Sequence, residues 1–131
     1  MPLFLSASAC EAMRAAALAA HPHEACGLLL GEGERIADAA PAANVHPRPD
    51  RHFEIDPAAL IAAHKASRAG GPQVLGYWHS HPNGRAAPSD EDRRMATGDG
   101  RVWAIVASGG ISVWRDLPDG FEALPYVLDR G

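Results

Sequence analysis

The sequence predicts an α/β or α+β fold, and three observations carry that reading. Short apolar, aromatic and β-branched runs recur between glycine and proline breaks, as strands do. Alanine-rich segments opened by serine or aspartate and closed by proline or glycine lie among them, as helices do. At 131 residues and 47% hydrophobic composition, the chain is sized for one compact domain, residues 1–131, around a single core. No repeat, low-complexity tract or long linker divides it.

A short apolar opening, Leu3 to Leu5, precedes a helix that Ser6 or Ser8 caps and that runs through Leu18, because alanine, methionine and glutamate favour helix. His21-Pro22 ends it, and its Met13 and Leu18 side is expected to pack inward. Cys26 to Leu30, closed by Gly31, is long enough for a buried strand and too short for a helix. A second strand covers Arg35 to Val45 and gives way to the run from His46 to Arg51, where proline interrupts backbone pairing. Phe53 to Ile55 leads into Asp56-Pro57, an N-cap followed by proline at the first helical position. A helix over Pro57 to Arg68, stopped by Gly70-Gly71, follows from that signal. Gln73 to His81 reads as a strand broken by Pro82-Asn83-Gly84. Ser89 begins a third, short helix, since Ser-x-x-Asp is a capping-box-like pattern with an acidic first turn. Val102 to Ala107, Ile111 to Arg115 and Phe121 to Leu128 complete the strands, the first two joined by a turn at Ser108-Gly109-Gly110.

The formal charge of -4 and a pI near 5.9 leave no sustained basic face, which argues against nucleic acid as a partner. No apolar run approaches the roughly 18 residues needed to cross a bilayer, so no membrane span is expected. The opening MPLFLSASAC lacks a basic stretch and its apolar run is too short for a leader, so the protein is read as cytoplasmic. The two cysteines, Cys10 and Cys26, match neither a CxxC redox pair nor a paired-cysteine zinc site, and suit a reducing compartment.

The chemistry concentrates in His79-Ser80-His81, followed by Ser89 and Asp92. Side chains two apart on a strand share a face, so both imidazoles can reach one metal ion, and Asp92 in the next helix can turn a carboxylate to it. Three such ligands suit zinc and leave its fourth position open, which points to catalysis. Zinc lowers the pKa of bound water from about 15.7 to about 7 and polarises a carbonyl. Glu24, at the entrance to the strand from Cys26, is the candidate general base. Alone, Ser89 and Asp92 would read as a helix cap, and the two readings are compatible.

These residues resemble the JAMM metalloproteases of the JAB/MPN domain family. The family pattern is an upstream glutamate, then His-x-His-Pro and Ser-x-x-Asp, with a seven-residue interval counted from the second histidine to the serine. The matches here are Glu24, His79, His81, Ser89 and Asp92. The compact bacterial members are similar over nearly the whole chain: Glu24 to Gly31, then Asn44, Phe53 to Pro57 and Gly76 to Pro82. The resemblance implies a curved, mixed β-sheet flanked by helices, of the cytidine-deaminase-like type, with zinc at a strand–helix junction. It gives Ser89 the role of donor to the oxygen that becomes negative in the tetrahedral intermediate. It further implies hydrolysis of an amide bond after the Gly-Gly tail of a ubiquitin-like or sulfur-carrier protein, and is compatible with a homodimer.

Two other classes stay open at this point. One is an MPN-like binding module for a ubiquitin-like partner, without turnover; the other is a different small zinc hydrolase. A nucleoside deaminase would need His-x-Glu with Pro-Cys-x-x-Cys, and a zincin HExxH; neither is present. Cys26 is a rival ligand or nucleophile, although its apolar neighbours suggest a small buried thiol. His21 and His23 could touch substrate, Arg85 could meet a substrate carboxylate, and Trp78 reads as packing.

Overall fold

The computed structural model describes residues 2–130 and builds them around one eight-stranded sheet. The strands are β1 (Leu3–Ser6), β2 (Cys26–Glu32), β3 (Arg35–Ala42), β4 (Gln73–Ser80), β5 (Val102–Ala107), β6 (Gly110–Leu117), β7 (Gly120–Ala123) and β8 (Tyr126–Asp129). The helices are α1 (Ala7–Ala20), α2 (Pro57–Arg68) and α3 (Asp90–Met95). The order across the sheet is β7-β6-β5-β4-β2-β3-β1-β8. β1 runs parallel to β3 and β8, β4 runs parallel to β5, and the remaining pairs are antiparallel. The sheet is therefore mixed, as the resemblance implies.

Its curvature follows from connectivity. β7 and β8 occupy opposite edges, yet only Leu124 and Pro125 join them. A flat sheet of eight strands would separate its edges by roughly 34 Å, whereas so short a link spans about 11 Å at most. The sheet must curl until its edges approach. Accordingly Tyr126 on β8 donates its hydroxyl proton to the Ile111 carbonyl on β6, at 3.0 Å, and Leu124 N–H pairs with Val113 at 2.8 Å.

Helix α1 fills the space so enclosed. Ser6 caps it, its Oγ accepting from Ala9 N–H at 3.0 Å while donating to the Ala37 carbonyl of β3 at 2.6 Å. Ala9, Cys10 and Met13 bury against Leu5, Leu29, Ile36 and Trp78. Leu18 corrects the expectation for this helix, since it is 82% exposed where Met13 is fully buried. Five residues of helix turn a side chain by about 140° from its starting direction, so the two cannot share an inward face.

Three further expectations differ in detail. The apolar opening is a strand, β1, paired to segments far along the chain, which no local pattern could reveal. The expected strand over Phe121 to Leu128 divides at Leu124-Pro125, because proline has no N–H with which to continue pairing. The strand expected through Val45 ends at Ala42, and beyond it Asn44 makes an isolated bridge to Ile55. No helix among the described residues is long and apolar enough to cross a membrane.

Near the centre, β4 lies between β2 and β5, with Cys26 opposite His79 and His79 beside Ile105. A side chain at Gly27 would collide with the Ala40 carbonyl and the Trp78 indole, so glycine lets that ring lie against β2. This packed strand is the platform on which the candidate site rests.

Candidate metal centre

Alternation along β4 turns Trp78 and Ser80 towards α1 and the core, and His79 to the opposite face. His81, one residue past the strand, returns to the His79 face and is fixed by its N–H bonding to Val106 at 2.8 Å. Asp92 arrives from α3. Ser89 caps that helix in a full capping box, its Oγ accepting from Asp92 N–H at 3.0 Å and its own N–H donating to Asp92 Oδ2 at 2.9 Å. The cap therefore aims the carboxylate as well as starting the helix.

The three side chains meet. His79 Nε2 and His81 Nε2 are 3.0 Å apart, and Asp92 Oδ2 lies 3.1 Å from the first and 3.0 Å from the second. His81 Nδ1 sits 2.8 Å from the Arg85 carbonyl, which can only accept, so in the neutral ring that nitrogen holds the proton and Nε2 presents a lone pair. Lone pairs of two imidazoles and a carboxylate crowded into one triangle repel unless a cation lies among them. A tetrahedral ion with bonds of about 2.0–2.1 Å spaces its ligands by about 3.3 Å, close to the observed triangle. The residues fit a divalent metal.

Their electrostatics agree. Burial alone would raise the Asp92 pKa, but without a metal a proton carried on His79 or His81 Nε2, together with Ser89 N–H, bonds to the carboxylate and holds it well below the usual range. Burial pulls His79 below its ordinary value against the opposing pull of Asp92, which favours the neutral, ligating ring. For His81, burial acts downward, yet Asp92, the Arg85 carbonyl and Glu24 together raise it. His79 is fully buried; the Phe53 ring stacks on it at 4.2 Å and Trp103 meets it edge-on at 5.8 Å.

Glu24 reaches the same place from the other side of the strand pair. Its N–H donates to the Pro49 carbonyl at 2.6 Å, and its carbonyl accepts from Asn44 Nδ2 at 3.0 Å. The next residue, Ala25, donates to Ser80 Oγ at 2.8 Å and accepts from Ser80 N–H at 2.9 Å. These bonds bring the segment before β2 beside the two histidines. Glu24, Ser89 and His81 line one cleft of about 340 Å³, together with Asp50, Arg51 and Arg85. Burial pushes the Glu24 carboxyl up to about 7; His81 pulls it down, and Asp92 and Asp50 add to the rise. A carboxyl poised there can take and return a proton near neutrality.

The other candidates sort themselves. Cys26 is buried, its thiol pushed up to about 12 by burial and by Glu24, so it is a packed thiol without a ready thiolate. Trp78 is fully buried core. Arg85 lines the cleft, and its carbonyl orients His81. His21 lines a neighbouring cavity of about 400 Å³ with Arg14 and His81, while His23 is exposed. Sequence reasoning gave no role to Phe53, Ser80 or Asn44. No local signal marks the first two, and Asn44 stands out only as part of the family resemblance.

Residues 6–117 match the family described as prokaryotic homologs of the JAB domain. A probable TtuB-protein conjugate cleaving protease of Thermus thermophilus is 36% identical over 127 residues, covering 96% of this chain and 83% of that protein. A desampylase of Haloferax volcanii is 32% identical over 111 residues, covering 82% of this chain and 80% of that protein. The solution structure of a Desulfitobacterium hafniense protein, 31% identical, superposes with a TM-score of 0.85 over 98% of this chain and 94% of that one. A match of this extent, on a fold that seats two histidines, an aspartate and a buried glutamate together, places the chain in the prokaryotic JAB domain family as a JAMM-type isopeptidase.

Proposed function

We propose that the chain works as a single domain, residues 1–131, in the cytoplasm, hydrolysing the amide bond that follows the Gly-Gly tail of a ubiquitin-like or sulfur-carrier protein, with zinc as its metal. The observation that carries this reading is the convergence of His79 Nε2, His81 Nε2 and Asp92 Oδ2 within 3.1 Å of one another, beside a cleft holding Glu24 and Ser89. Two nitrogens and one oxygen of intermediate hardness suit zinc. The names of two relatives, one a desampylase and one for cleaving TtuB-protein conjugates, support a conjugated small protein as substrate. A Gly-Gly tail has no side chains and can lie in a narrow cleft in extended form.

Zinc, when bound by His79, His81 and Asp92, supplies Lewis acidity to a water and to the scissile carbonyl. Glu24 takes the proton of the attacking water onto a carboxylate oxygen as that water's oxygen bonds to the carbonyl carbon. Ser89 Oγ, which already accepts from Asp92 N–H, keeps its own proton to donate to the carbonyl oxygen as that oxygen becomes negative. Glu24 then gives its proton to the leaving amine nitrogen as the C–N bond breaks, and the water's second proton passes from the new carboxyl to the amine, releasing a Gly-Gly carboxylate and an ammonium.

The test is metal content and turnover of a sulfur-carrier protein joined through its Gly-Gly carboxyl to a lysine-containing fluorescent peptide. Wild type is expected to bind about one zinc per chain and to cleave the conjugate. Glu24→Gln is expected to keep the zinc and to lose about 100-fold to 10,000-fold in rate. Equal rates for the two proteins would remove Glu24 from the chemistry, and absence of zinc would remove the metal reading.

A further inference from the structure

Asn44 lies outside the metal triangle, yet its side-chain amide makes all four of the hydrogen bonds it can. Its Oδ1 accepts from His46 N–H at 3.1 Å and Glu54 N–H at 3.0 Å. Its Nδ2 donates to the His52 carbonyl at 3.0 Å and to the Glu24 carbonyl, also at 3.0 Å. Two partners are donors and two are carbonyls, so the amide has one orientation only.

The partners are not a random set. His46, His52 and Glu54 are the two ends of the irregular segment between β3 and α2, and the fourth is the residue we assign as base. The same segment supplies Pro49, whose carbonyl accepts from Glu24 N–H, and Phe53, whose ring covers His79. One amide therefore closes the loop on itself and fastens it to the backbone of Glu24. Among the described residues no hydrogen-bond donor is found for the Glu24 carboxylate. Its position over the cleft is inherited from its backbone, and both polar groups of that backbone are bonded either to Asn44 or to the loop Asn44 closes.

We infer that Asn44 is a positioning residue for Glu24, holding the base over the cleft through its main chain; this rests on the function proposed above. Asn44→Asp is the selective probe. A carboxylate still accepts from His46 and Glu54 N–H but places oxygens against the carbonyls of Glu24 and His52, so it cuts the link to the base while keeping the loop ends joined. Misplacement of a catalytic group by about 1 Å can cost on the order of 100-fold.

The experiment measures rates on the carrier–peptide conjugate for the zinc-loaded full chain as wild type, Asn44→Asp, Glu24→Gln and the double variant, with amide exchange on the same proteins. Asn44→Asp is expected to lower kcat by about 10-fold to 100-fold with KM unchanged within about twofold and zinc retained. In the Glu24→Gln background the same substitution is expected to cost nothing further, because the group it positions is already disabled. Exchange at Glu24 N–H is expected to quicken at least about tenfold while Leu29 and Val106 N–H stay as in wild type. An equal rate loss in both backgrounds, quickening that spreads to Leu29 and Val106, or an unchanged Glu24 amide overturns the inference; if Asn44→Asp does not fold, Asn44→Ala is read by the same criteria. An inactive wild type would instead sink the proposed function, and the exchange at Glu24 would still decide whether Asn44 holds that backbone.

Discussion

The start of α3 and the approach to β2 each bury a carboxylate beside the same two histidines, and they treat it in opposite ways. Asp92 is 4% exposed and Glu24 is 7% exposed, so the cost of desolvation is present at both. Asp92 has Ser89 N–H and both imidazoles to answer it, and its pKa falls well below the ordinary range. Glu24 has no such donors among the described residues and is pushed up to about 7. Burial alone therefore does not assign a role; the donors aimed at the carboxylate decide its charge. In the proposed function this difference suits one to hold a cation as a carboxylate and the other to change its proton near neutrality.

Ser89 tests which half of the cap sustains the difference. Ser89→Ala removes the hydroxyl but leaves the backbone N–H that donates to Asp92 Oδ2. The expected result is a loss of about 100-fold to 1,000-fold in kcat from the missing donor to the carbonyl oxygen. Zinc content should stay near wild type, because the backbone donor is retained, and helix capping should cost about 1 kcal/mol of stability by urea denaturation. If zinc is lost with the hydroxyl, the side chain and not the main chain is what fixes Asp92.

The contrast also predicts opposite pH dependences of stability in the metal-free protein. The folded pKa of Glu24 lies above its ordinary 4.5, so the folded state holds the proton more tightly and stability falls as pH rises from about 4.5 to about 7. Above that window the penalty is complete. Glu24→Gln is therefore expected to be more stable than wild type by about 1–3 kcal/mol at pH 8 and to show no such gain at pH 4. Asp92 has the reverse sign: its contribution is fully present above its ordinary 3.8 and disappears as pH falls, so Asp92→Asn should lose stability at pH 8 and match wild type only in acid. Urea melts of the chelated proteins across pH check both slopes. Parallel curves would mean the two carboxylates are not differently held.

How far the site is legible in the sequence depends on how local each relation is. His79 and His81 share a face because of strand alternation, and Ser89 caps the helix of Asp92 because of an interval of three; both rules act over a few residues. That His79 and Asp92 then meet depends on how the loop from Pro82 to Pro88 closes, which the spacing allows without requiring. The nearness of Glu24 depends on the pairing of Cys26 with His79 across two distant strands, and only the family resemblance supplies it. Phe53 and Asn44 act through the same kind of long-range register, so their residue types give no hint of it. In the fold, helix α2 follows directly from Asp56-Pro57, while β1 and the edge position of β8 come from pairings between the two ends of the chain.

Phe53 gives the finest division between the two carboxylate regions. Its ring stacks on His79, one of the groups that hold Asp92 down, and among the described residues it meets Glu24 only through the loop they share. Replacing it with alanine should let the His79 ring move and weaken zinc binding by roughly tenfold, the scale expected when a group that orients a ligand is removed. At saturating zinc, kcat should stay within about threefold of wild type, since Asn44 still holds the Glu24 backbone. Competition against a chelator gives the first quantity and turnover the second. A variant that binds zinc normally but turns over slowly would mean that the loop's aromatic ring serves the base and not the metal, and the two regions would then be one.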